Sequence, residues 1–184
     1  MKKLGIIAAT MALCASVYAS SLAVPWFVDT APAANGVPGK AAGVTGIVVL
    51  KSNRTDDLTA SITYFNATGS ELGPFAPNNT FVIPALSSVS FRPVATDPST
   101  VAGGQESTTA VLVPNRPLSA DTNTPIPGTN PPVIDTKKNG SITISWSGGA
   151  SDVQGIVTYF QTAVDPTTQA TVTFSYGTLL PPGF

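Results

Sequence analysis

Hydrophobic and polar residues alternate along most of the chain from Val44 onward. In Leu58 to Phe65, Leu58, Ala60, Ile62 and Tyr64 share one side while Thr59, Ser61 and Thr63 share the other. A period of two is the mark of a half-buried strand. Ile142, Ile144 and Trp146 alternate in the same way with Ser141, Thr143, Ser145 and Ser147. Gly46 to Leu50 is a β-branched run suited to a buried strand. Phe81-Val82-Ile83 and Val89-Ser90-Phe91 predict two short strands around Pro84 to Ser88, and Ala110 to Val113 predicts another. Val153 to Gln161 and Ala170 to Gly177 predict the last two, with Val172, Phe174 and Tyr176 facing inward. Asn66-Ala67-Thr68-Gly69 and Gly148-Gly149 are turn signals, Gly69 being free to take a positive φ. No segment between Ser20 and Phe184 carries a helical stripe. Seven or eight short strands punctuated by turns favour a single antiparallel β-sandwich over a closed barrel.

The first nineteen residues follow a different pattern. Lys2 and Lys3 precede an apolar run from Leu4 to Ala15, and Val17-Tyr18-Ala19 places acceptable residues before a cut ahead of Ser20. The run is too short to anchor in a hydrocarbon core of about 30 Å, so residues 1–19 are expected to be a cleavable secretory signal. A lipoprotein signal ending at Cys14 would want a small residue where Leu13 stands. The expected address is therefore secreted, cell surface or periplasm.

Residues 20–43 read as an extended N-terminal segment and linker, ahead of a sandwich domain over 44–184. Leu22, Val24, Trp26, Phe27 and Val28 form an apolar start that suits an edge strand, with Pro25 limiting any central role. A Pro/Gly/Ala stretch follows from Thr30 to Gly43. A second Pro/Thr-rich stretch at about 114–139 reads as a long surface loop, because too little chain follows it for another core.

Composition narrows the chemistry. The 184 residues contain no histidine and one cysteine, Cys14, which would leave with the signal. Loss of Lys2 and Lys3 takes Lys+Arg from nine to seven, against ten acidic residues. The remaining chain of about 165 residues is long enough for one core. Its mild acidity argues against nucleic acid, which asks for a basic patch. Only 10% of the residues are charged, so hydroxyls and amides must cover the outer faces.

Ile62-Thr63-Tyr64-Phe65-Asn66-Ala67-Thr68-Gly69-Ser70-Glu71-Leu72-Gly73 resembles the strand-turn-strand element of immunoglobulin-like extracellular modules of bacteria. The resemblance covers about residues 62–73 and implies an immunoglobulin-like sandwich. It brings no functional residues with it.

Catalytic and metal chemistry have little to stand on. Without imidazole or thiolate, zinc and copper lose their preferred ligands and a Ser-His-Asp triad cannot be built. No Asp-x-Asp-x-Asp-Gly calcium loop is present, and Asp56-Asp57 reads as a solvated turn. No serine sits in a Gly-x-Ser-x-Gly elbow. Glu71, Glu106 and scattered aspartates fall mostly in turns, a poor start for a glycosidase pair. No catalytic residue, cofactor or metal is expected. The sequons at Asn53, Asn66, Asn78 and Asn139 fall in predicted turns and read as ordinary turn asparagines. An isopeptide crosslink from Lys51 would lack an Asn or Asp on the last strand.

Two functional expectations follow. The first is an exported, non-catalytic structural or interaction protein of the cell exterior, a surface, matrix or filament component. Its partners would be itself or other extracellular proteins, engaged by strand addition. Leu22, Val24, Trp26, Phe27 and Val28 are the candidate assembly strand, although pairing within their own domain is the favoured reading. The second is a binding module for glycans or another extracellular ligand. Trp26, Tyr64, Trp146, Tyr159 and Tyr176 are the available aromatic platforms. Trp146 sits on an apolar face and reads as core, which leaves Trp26 as the candidate ligand-facing aromatic.

Overall fold

A computed structural model describes residues 19–31, 42–95, 113–117, 124–125, 134–135 and 139–181. Two antiparallel sheets pack face to face, as the alternation predicts. The first contains β1 (Ala19–Val28), β9 (Asn139–Ser147) and β3 (Leu58–Asn66) side by side. Both β4 (Glu71–Gly73) and β5 (Thr80–Ile83) pair with the far side of β3. The second sheet has the order β11 (Thr171–Leu179), β10 (Val153–Val164), β2 (Gly43–Ser52), β6 (Ser88–Phe91). A separate two-stranded ladder joins β7 (Thr124–Pro125) and β8 (Ile134–Asp135). No helix among the described residues is long and apolar enough to cross a membrane.

The core follows the pleat. Ala60, Ile62 and Tyr64 of β3 stand opposite Trp146, Ile144 and Ile142 of β9, and all six are buried. Val48 and Leu50 of β2, Val89 and Phe91 of β6, and Val153, Val157 and Tyr159 of β10 meet them from the second sheet. Burial of this continuous apolar layer is the main force holding the sheets together.

The sandwich begins at β1 rather than at residue 44. Leu22 stands opposite Ile144 and Val24 opposite Ile142, both fully buried. Between Val24 and Phe27 the register slips, because three residues of β1 span two of β9. Pro25 has no N–H to give the ladder, and the bulge formed there resets the pleat. Phe27 consequently points inward and is fully buried, edge-on to Tyr64 with ring centroids 6.0 Å apart.

Side chains with charge close both ends. At one end Arg92 and Arg116 are each 1% exposed. Arg92 Nη2 donates to Thr45 Oγ1 at 3.1 Å, and Arg116 Nε donates to the Pro93 carbonyl at 3.2 Å, its guanidinium 5.9 Å from the Phe27 ring centroid. Tyr64 donates its phenol to the Pro114 carbonyl at 3.0 Å, and Val113 enters the core beside it. At the other end Arg54 binds Asp56 through two hydrogen bonds and reaches Asp152 Oδ2 at 3.3 Å. The same Asp152 oxygen accepts the Gly149 N–H at 2.9 Å. Gly148 must be glycine there: its φ is +147°, and a Cβ would stand 2.3 Å from that oxygen.

Some expectations need correction or fall outside the described residues. Val172, Phe174 and Tyr176 do lie on the inward side of β11, yet they are exposed, because β1 ends the first sheet before it reaches them. Asn139 is the first residue of β9, opposite Val28, rather than a turn residue. Residues 1–18, 110–112 of the predicted strand, and most of the loop at 114–139 are not among those described.

Candidate functional site

The β10–β11 hairpin is built by local chemistry. Asp165 ends the outgoing strand, and its Oδ1 accepts the N–H groups of Thr167 at 2.7 Å and Thr168 at 2.9 Å. Those bonds hold its carboxyl below the usual carboxylate range. The Asp165 N–H then donates to the Ala170 carbonyl at 2.9 Å, which starts the return strand in register.

Among the described residues that return strand is an edge. β11 bonds to β10 on one side, and no described strand pairs with the other. Opposed residues in this ladder sit on one face: Tyr176 with Tyr159, Phe174 with Gln161, Val172 with Ala163. The side chains of Val172, Phe174 and Tyr176 therefore point to the same side as the core. Within the sandwich, β1 packs over β2 and β10, and the inward side chains of β11 are left largely uncovered. Val172 is 52%, Phe174 60% and Tyr176 53% exposed. Leu179 is also exposed on the opposite face. Among the described residues, four of the eight exposed large hydrophobic side chains thus come from this single nine-residue strand. Scattered apolar residues on a surface are ordinary, whereas a contiguous stripe makes β11 the candidate interaction surface.

The stripe continues onto β1 through stacked aromatics. Trp26, displaced to the surface by the bulge, lies against Tyr159 with centroids 5.0 Å apart, and Tyr159 lies against Tyr176 at 5.0 Å. The Tyr159 phenol donates to the Trp26 carbonyl, tying the two sheets together at this edge. Burial, helped by repulsion from Tyr176, pushes that phenol up to about 12, so it remains a neutral donor at physiological pH. Trp26 itself is 42% exposed.

The residues singled out from sequence separate accordingly. Leu22, Val24, Phe27 and Val28 are core, paired with β9 of their own chain. Trp26 is the outward member of that set. Tyr64, Trp146 and Tyr159 are buried, and only Trp26 and Tyr176 among the candidate platforms present substantial surface. The acidic pairs are structural: Asp56 is held by Arg54, and Asp57 Oδ1 accepts the Ala85 N–H at 3.0 Å. No group of three or more His, Cys, Asp or Glu stands together among the described residues. Asn66 Oδ1 caps its own turn through the N–H groups of Thr68 and Ser70.

Sequence reasoning missed the β11 edge as a site. The available signal was the strand's composition: Thr171 to Leu179 contains no charge and no proline, the two devices that usually protect an edge. Chemically, the surface offers indole, phenol, phenyl, aliphatic and hydroxyl groups beside unpaired backbone. It can stack, bury apolar groups and extend a ladder.

Comparison with known proteins finds no matching family model, no matching curated protein and no matching solved structure.

Proposed function

We propose that this chain is an exported, non-catalytic structural or interaction protein of the cell exterior, which assembles by strand addition to its open β11 edge. The observation that carries the reading is the nine-residue uncharged edge backed by the exposed stripe Val172, Phe174, Tyr176. An incoming strand would gain main-chain hydrogen bonds from the edge and side-chain contacts from the stripe. Export rests on the tripartite pattern of residues 1–19, with cleavage ahead of Ser20. The partners are other copies or other extracellular proteins.

The test combines address and edge. The chain should be recovered from the cell exterior with Ser20 at its N-terminus, in material larger than a monomer. Thr173→Pro should return it to monomer without loss of the fold, because the Thr173 N–H faces away from β10. An intracellular chain, or an assembly that Thr173→Pro leaves intact, overturns the proposal.

A second reading is kept by one specific observation. Trp26 and Tyr176 flank Tyr159 in a stacked array, and exposed aromatic faces can hold sugar rings. On this reading a glycan array gives a hit that Trp26→Ala and Tyr176→Ala abolish. A blank array, with large assemblies in native extracts, decides for strand addition.

A further inference from the structure

We propose that the strand added to β11 is the β11 of a second copy, antiparallel, about a two-fold axis passing beside Ser175. The inference rests on the strand-addition reading and names its partner.

The ladder fixes which backbone groups are available. Gly155 and Leu180 stand opposite each other at one end, with the Leu180 N–H donating to the Gly155 carbonyl at 2.9 Å. At the other end the Asp165 N–H donates to the Ala170 carbonyl at 2.9 Å. The register between these ends contains no slip. In an antiparallel ladder, hydrogen-bonded and non-hydrogen-bonded pairs alternate. Even-numbered residues of β11 therefore bond to β10, and Thr171, Thr173, Ser175, Gly177 and Leu179 aim their N–H and C=O groups at the open edge.

Those five positions are symmetric about Ser175. Placing Ser175 opposite its own copy sets Thr173 against Gly177 and Thr171 against Leu179, so every outward group meets a complementary one. The same register sets Phe174 opposite Tyr176 of the second copy, and Val172 opposite Thr178, at the closer non-hydrogen-bonded spacing. An isologous contact needs this self-complementarity.

Charge is compatible with a second copy: β11 carries no Lys, Arg, Asp or Glu, so two copies meet without like-charge repulsion. An added strand lies in the plane of the sheet, so the pair buries the two nine-residue backbone edges and the facing flanks of Phe174 against Tyr176 and Val172 against Thr178, a contact at the small end of the interface range.

Sedimentation of the chain beginning at Ser20 should give a concentration-dependent monomer–dimer equilibrium. Phe174→Lys changes both halves of the contact at once and should weaken it by about 100-fold or more. Thr173→Pro should act likewise through the backbone, and circular dichroism melts report whether each variant keeps its fold. Ser175→Cys introduces the sole cysteine of that chain. Opposed Cα atoms about 5.5 Å apart lie within disulfide range, so mild oxidation should give a covalent dimer, while Ser151→Cys, exposed at the far end of the sandwich, should not. A dimer untouched by Phe174→Lys, or one that Ser175→Cys fails to trap, overturns the proposal. A chain that is monomeric alone yet joins larger native material through Thr173→Pro-sensitive contacts also overturns it, and leaves strand addition standing. Absence of both kinds of association removes both.

Discussion

Truncating Leu22 to alanine tests whether β1 belongs to its own sandwich in solution. Leu22 is 1% exposed and crosses the interior to the opposite sheet. Its Cδ1 and Cδ2 lie 3.1 and 3.2 Å from where a Cβ would stand on Gly155, with Leu180 Cδ1 at 2.9 Å. The leucines thus occupy space that Gly155 leaves open. Leu22→Ala removes that filling, and Gly155 has no side chain to lean into the gap. Its backbone is also held by β2 on one side and Leu180 on the other, so collapse is restricted. Leucine-to-alanine costs grow with the cavity that remains, which places this one at about 3–5 kcal/mol. Against a typical domain stability of about 5–15 kcal/mol, that is a severe loss. With a urea slope of about 2 kcal/mol/M, the midpoint should fall by about 1.5–2.5 M. Ser21→Ala, on the other face of β1, should stay within about 0.5 kcal/mol. Both belong in a Thr173→Pro background, so that association at β11 does not enter. There the midpoint should be equal at about 1 and about 100 µM protein, because only a strand taken from a neighbour makes stability concentration-dependent. A Leu22→Ala cost below about 1 kcal/mol, or a midpoint that rises with concentration, would refute the placement of β1 in its own chain.

Gly140→Ala should be among the most damaging single substitutions, costing about 3 kcal/mol or more in urea unfolding. A Cβ at Gly140 would stand 1.9 Å from the Phe65 carbonyl oxygen, whereas at Gly149 its nearest neighbour is 3.5 Å away. Gly149→Ala should therefore be neutral or stabilising by up to about 1 kcal/mol. The pH dependence at Tyr159 has a definite sign. Its folded pKa is raised from 10.0 to about 12, so its contribution to stability is complete below pH 10.0 and is lost as pH rises through about 12. Unfolding midpoints measured across that window should fall, and Tyr159→Phe should remove that component of the fall.

Much of the sandwich is legible in the sequence, and the exceptions have physical causes. β3 and β9 read correctly because both have neighbours on each side and a sheet across from them, so every inward position is apolar. β1 is harder to read since its bulge breaks the alternation. Leu22 and Val24 keep one parity and Phe27 takes the other, leaving Pro25 and Trp26 where the period fails. β11 presents the opposite problem. Val172, Phe174 and Tyr176 alternate as core residues do, and their direction is inward. Whether they are covered depends on the width of the facing sheet, a property of other segments that no local pattern contains. The buried Arg92 and Arg116 are equally silent, because a charged residue at a strand end looks solvated until its partners are placed.

The same physics separates an accidental edge from an assembling one. An edge strand left open is ordinarily blunted by lysine, proline, a bulge or short length. The sandwich uses three of these devices elsewhere. β1 carries Pro25 and a bulge, and β4 stops after three residues. β11 is nine residues long, in continuous register and uncharged, with its apolar stripe on the side where the first sheet falls short. Among the described strands, protection is thus present at β1 and β4 and absent from β11, which also exposes Val172, Phe174, Tyr176 and Leu179. A chain with so few charges has little else to hold copies apart, which is what the proposed strand addition at β11 would use. Main-chain pairing alone would accept any extended strand of that length, so a preference for a second β11 would have to come from the cross-strand pairs of Phe174 with Tyr176 and Val172 with Thr178.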